Sequence, residues 1–84
     1  MEYPLHTLPQ LAQTLRGLRK QRGLTQARAA AKVGLLPKTI SSLETDPEPA
    51  SLGSLFKLLS ALDLELSVRP KTGGSAGEAP TGEW

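Results

Sequence analysis

The sequence predicts an all-α domain of four helices closed by one short C-terminal β-strand. Three observations predict it. Apolar residues recur at helical spacing in four separate stretches, each opened by a residue suited to start a helix. Two of those stretches are short and separated only by Gly34-Leu35-Leu36, the spacing of a helix-turn-helix. After Asp63 the apolar period drops to two.

The first helix opens at Thr7-Leu8-Pro9-Gln10. Thr7 is a good N-cap, Gln10 falls where a capping box needs it, and proline is tolerated in a first turn. Leu8, Leu11, Ala12, Leu15 and Leu18 follow helical spacing up to a stop at Gly23. Gly17 lies inside this helix, where it either weakens the helix by about 1 kcal/mol relative to alanine or permits close packing.

Thr25 caps the second helix, which runs from Gln26 to Val33 and closes at Gly34. Its centre, Ala29-Ala30-Ala31, favours helix and lets another helix approach, with Ala30 expected where the second and third helices cross. The third helix starts near Pro37 and continues to Leu43 or Glu44. No helix crosses Asp46-Pro47-Glu48-Pro49. Ser51 caps the fourth, whose stripe comprises Leu52, Leu55, Phe56, Leu59 and Leu62, widened by Leu58.

Leu64-Glu65-Leu66-Ser67-Val68-Arg69 then alternates as a strand would. A lone strand leaves a row of unpaired backbone groups, and the simplest partner is the same strand of a second copy across a two-fold axis. Leu64, Leu66 and Val68 are the candidate dimerisation residues. The alternative is an extended tail with accidental alternation. Residues 70–84 are rich in Gly, Pro, Ser, Thr and Ala and are expected to be disordered, ending in Trp84, the single tryptophan. That ring either docks into another protein's pocket or is a plain exposed residue. The expected organisation is an arm over 1–7, a helix-turn-helix domain over 8–63, a dimerising strand over 64–69 and a tail over 70–84.

Composition narrows the function. With 84 residues there is room for one domain, and its small core is of a size that often needs a partner chain. There is no cysteine and one histidine, His6, so neither a disulfide nor a metal site is expected, and no cofactor is implied. No paired carboxylates, nucleophile–histidine pair or glycine-rich phosphate loop suggests an enzyme. The apolar runs are too short to span a membrane, and Met1-Glu2-Tyr3-Pro4 does not open a signal peptide, so a cytoplasmic protein is expected.

The net charge is only +2, but its distribution is uneven. Arg16, Arg19, Lys20, Arg22, Arg28, Lys32 and Lys38 occupy residues 11–40 with no acid among them, whereas from Glu44 onward acids outnumber bases. Such a block repels itself unless it is a solvated face or meets a polyanion. The tandem short helices favour the polyanion, double-stranded DNA. The N-terminal part of a recognition helix reaches base edges. Lys38, Thr39, Ser41 and Ser42 are the polar candidates there, and Thr25 and Gln26 at the start of the second helix are placed for a phosphate.

Leu15 through Gln26, Ala30 to Gly34, and Thr39-Ile40-Ser41-Ser42-Leu43-Glu44 together resemble the phage-repressor-like (XRE, lambda-repressor-like) helix-turn-helix family over about residues 8 to 62. Glu44-Thr45-Asp46-Pro47, Leu52 with Phe56-Lys57-Leu58-Leu59, Asp63-Leu64-Glu65-Leu66 and a loose tail ending Glu83-Trp84 are similar to the HipB-type antitoxins. The resemblance implies a fold of four to five helices and a homodimer closed by an intermolecular two-stranded sheet. It further implies repression of the protein's own operon, and neutralisation of a HipA-type serine/threonine kinase toxin on which Trp84 docks. A dimer that sets two third helices about one turn of DNA apart makes the expected operator an inverted repeat. It implies a structural ion pair between Arg19 and Glu44. The chain departs from the family at Leu36 and Pro37, where polar side chains are usual, and at Ala29, where a larger aliphatic is usual. Base reading then rests more on Lys38, or on apolar contact from Leu36 with thymine methyls.

Overall fold

The computed structural model describes residues 3–71. Four helices follow in order: α1 (Leu8–Gln21), α2 (Gln26–Val33), α3 (Pro37–Thr45) and α4 (Leu52–Ala61). Each start has a local cause. Thr7 and Gln10 form a reciprocal capping box, the Gln10 N–H donating to Thr7 Oγ1 at 3.3 Å and the Thr7 N–H to Gln10 Oε1 at 3.2 Å. Thr25 Oγ1 accepts from the Arg28 N–H at 3.0 Å and Ser51 Oγ from the Ser54 N–H at 3.0 Å. Leu36 caps α3 with no side-chain hydrogen bond.

Three of the four helices stop in one way. A left-handed residue follows the last turn: Gly23 (φ 70°), Gly34 (φ 73°) and Asp63 (φ 57°). A leucine comes next, and its N–H reaches back to the helix: Leu24 to Arg19 O at 3.2 Å, Leu35 to Ala30 O at 2.9 Å, Leu64 to Leu59 O at 2.8 Å. Each of these leucines packs against the core. Terminal carbonyls are satisfied and the departing chain is turned inward in one motif. α3 ends differently, at Asp46 (φ −144°, ψ 81°), because the proline that follows disfavours helical geometry in the residue before it. It runs to Thr45, a residue beyond the expected end, and Thr45 Oγ1 donates to Ser41 O at 2.8 Å.

The core gathers Leu15 of α1, Ala29 and Ala30 of α2, Ile40 and Leu43 of α3, and Leu55, Leu58, Leu59 and Leu62 from α4 and its cap. α3 packs on α1 and α2, and α2 also packs on α4, with the buried alanines of α2 permitting the approach. Gly17 does not mediate close packing: nothing lies within 4 Å of the position its Cβ would take.

Among the described residues there is no strand. Residues 65–71 form neither helix nor sheet within one copy. Of the alternating residues, Leu64 is turned toward its own core, whereas Leu66 and Val68 are exposed. Trp84 and the tail beyond residue 71 lie outside the described residues.

Candidate nucleic-acid interface

α3 has two chemically distinct faces. Ile40, Leu43 and Glu44 are buried. Pro37, Lys38 and Ser42 are exposed, and Ser41 is half-buried. Helical spacing puts positions 38, 42 and 45 opposite 40, 43 and 44 and position 41 at the edge, whereas Pro37, three residues before Ile40, is exposed as the first residue of the helix. Thr39 sits at the boundary, half-buried.

The helix starts are electrostatically bare. None of the four helices carries an acidic residue in its first turn. The positive ends of α2 and α3 therefore keep their attraction for anions. In α3 the Thr39 and Ile40 N–H groups both reach Leu36 O, at 3.0 and 3.4 Å, and Pro37 has no N–H, which leaves the Lys38 N–H without a helical partner. Thr25 is exposed at the start of α2 with its hydroxyl committed to the cap.

A buried network holds α2 and α3 in register. Arg19 Nε donates to Glu44 Oε2 at 2.6 Å, Arg19 Nη2 to Glu44 Oε1 at 3.0 Å, and Arg19 Nη1 to Leu24 O at 2.7 Å. Gln26 Nε2 donates to the same Glu44 Oε1 at 3.2 Å. The sequence placed the Gln26 amide toward a phosphate; the geometry turns one of its hydrogens inward to Glu44. One second amide hydrogen remains, so Gln26 can brace and contact at once. Among the described residues no buried side-chain polar atom lacks a partner. The basic block thus divides: Arg19 is buried in this network, and Arg16, Lys20, Arg22, Arg28, Lys32 and Lys38 are exposed.

A second surface was missed from sequence. Leu52 (72% exposed) and Phe56 (51% exposed) belong by spacing to the apolar stripe of the fourth helix. They lie one turn apart on α4, outside the core. Phe56 also lines, with Leu59, Leu64 and Leu66, a groove of about 540 Å³ between α4 and the chain that follows it. The width of the stripe was the available signal: Leu55, Leu58, Leu59 and Leu62 already fill the buried side, so two more large apolar residues must face elsewhere.

The two short helices, the left-handed Gly34 between them and the exposed polar face of α3 define a helix-turn-helix domain, and the helix-turn-helix family profile matches residues 15–68. Antitoxin HipB of Escherichia coli O6:H1 (strain CFT073) is 34% identical over 82 residues, spanning 95% of this chain and 87% of that protein. Among solved structures, a HipB–O4 20mer complex matches at 33% identity with a TM-score of 0.77, covering 80% of this chain and 94% of that one. A HipA–HipB–O2–O3 complex matches at 33% identity with a TM-score of 0.77, covering 83% and 97%. The chain belongs to the HipB antitoxin family of helix-turn-helix proteins.

Proposed function

We propose that the protein is a cytoplasmic DNA-binding antitoxin that acts as a homodimer. It represses its own operon and neutralises a HipA-type serine/threonine kinase toxin. The observation that carries the DNA-binding part is the two-faced α3, with Lys38 and Ser42 exposed, Thr39 and Ser41 half-buried at the edges of that face, Leu36 and Pro37 leading, and uncompensated helix ends at Thr25-Gln26 and at Pro37-Lys38. Lys38 donates to guanine or phosphate, the hydroxyls reach bases or phosphates, and the first turn of α2 receives a phosphate.

Dimerisation is supported by exposed apolar residues on contiguous parts of the chain: Leu52 and Phe56 on α4, and Leu66 and Val68 beyond it. In the dimer, residues 64–69 pair with the same segment of a second copy, with Leu66 and Val68 covering the Phe56 groove and Leu64 anchoring each strand to its own core. Two copies of α3 then stand roughly 34 Å apart, and the operator is an inverted repeat. The kinase partner is supported by membership of the HipB family and by likeness to the HipB chain of a HipA–HipB–DNA complex. Trp84 is the proposed kinase anchor.

The test has three arms. Sedimentation gives the oligomeric state; footprinting on the region upstream of the protein's own gene gives the operator; an autophosphorylation assay of the HipA-type kinase, with intact chain and with Trp84→Ala, gives neutralisation. A monomer that ignores duplex DNA at low ionic strength overturns the reading. A dimer that binds its operator but leaves the kinase fully active reduces it to a stand-alone repressor.

A further inference from the structure

We propose that Leu36 reads sequence, and that what it reads is the C5-methyl group of thymine in the major groove. This rests on the reading that α3 enters that groove.

Three observations lead there. Leu36 is 62% exposed, although Leu35 beside it packs into the core. Leu36 occupies the N-cap of α3 with φ −87° and ψ 148°, nearly the geometry of Thr25 (−79°, 165°) and Ser51 (−82°, 152°). Those two residues use a hydroxyl to satisfy an N–H of the first turn, as Thr7 does in α1. At Leu36 the same backbone geometry would serve a serine or threonine, so leucine there forgoes a cap bond and exposes an isobutyl group to water. Finally, Pro37 follows with no N–H and no polar side chain, so the leading edge of α3 is apolar until Lys38.

A recognition helix meets base edges with its N-terminal residues. Besides hydrogen-bond donors and acceptors, the major-groove edges of the base pairs show one bulky apolar group, the thymine methyl, where cytosine has only a C5 hydrogen. An apolar leading edge discriminates there chiefly by covering that methyl. Lys38, two residues on, supplies the polar contact that fixes which neighbouring pair is addressed.

The experiment uses the full-length chain and an unmethylated randomised duplex pool, so that thymine is the only source of the methyl. Bound duplexes are enriched, and in the winning sequence each thymine is replaced in turn by deoxyuridine, which removes the methyl and nothing else. Wild type is expected to lose affinity about fourfold for the methyl that Leu36 covers in each half-site, the worth of one buried methyl. Leu36→Ala and Leu36→Ser are expected to bind the thymine and deoxyuridine duplexes equally at that position. Leu36→Ser should melt no lower than wild type, since its hydroxyl can take up the cap, which separates a reading defect from a folding defect.

Wild type indifferent to every deoxyuridine replacement overturns the proposal, as does a penalty that persists undiminished in both variants. If no duplex is enriched at all, the DNA-binding reading itself fails, an outcome distinct from an enriched site whose methyls do not matter.

Discussion

Arg19 and Glu44, 25 positions apart in the chain, meet in a two-point ion pair at 2.6 and 3.0 Å that is almost wholly removed from solvent. The pair joins α1 to α3, and through Gln26 it reaches the start of α2. Each of the first three helices is therefore tied to a single carboxylate.

Removing that carboxylate strands a buried guanidinium. Glu44→Ala is expected to destabilise the fold by about 3–5 kcal/mol, read by urea denaturation. Replacing both partners with apolar residues, Arg19→Met with Glu44→Leu, should lose less than Glu44→Ala, because no charge is left buried alone. A double variant less stable than that single one would mean that the pair contributes net attraction, not merely mutual neutralisation.

Two glycines make opposite predictions although both have room for a methyl group. Gly17 has ordinary helical geometry on an exposed face, so Gly17→Ala should raise stability by about 1 kcal/mol. Gly34 has φ 73°, so Gly34→Ala should lower stability by about 1–2 kcal/mol from backbone strain alone. Thermal melts of the two variants, side by side, check both signs.

Phe56→Glu places a charge on the exposed turn of α4 without touching the core. It should convert the dimer to a monomer that retains its helical circular dichroism, and operator affinity should fall because one half-site is no longer linked to the other. A dimer that survives this change, seen by sedimentation, places the interface elsewhere.

Lys38→Ala separates reading from steering. If Lys38 contacts a base, affinity for the operator should fall by about 1–3 kcal/mol while affinity for scrambled duplex changes less. If it contacts phosphate alone, both should fall together and the salt slope should shrink by about 1. A salt titration on the two duplexes distinguishes these outcomes.

The helices were legible because their punctuation is local. Thr7 with Gln10, Thr25, Ser51, Gly23 and Gly34 act within a few residues of themselves, and sequence reveals such contacts directly. Asp63 was not recognised as a left-handed terminator, since most such positions hold glycine. Burial was less legible. Leu52 and Phe56 share the periodicity of the buried leucines, and only the packing of the other helices on α4 determines which arc of its surface is covered. The inward bond of Gln26 was not legible, because nothing local in the sequence locates Glu44, 18 positions away, beside an amide that spacing alone assigns to a phosphate.

The separation of the two faces of α3 has an evolutionary consequence. Ile40, Leu43 and Glu44 answer to the interior, whereas Pro37, Lys38 and Ser42 answer to whatever lies outside. Because the two sets share no member, drift on the outer set leaves the interior untouched. If the outer set reads operator DNA as proposed, duplicated copies can therefore diverge toward different operators, and so avoid cross-talk, while keeping one scaffold.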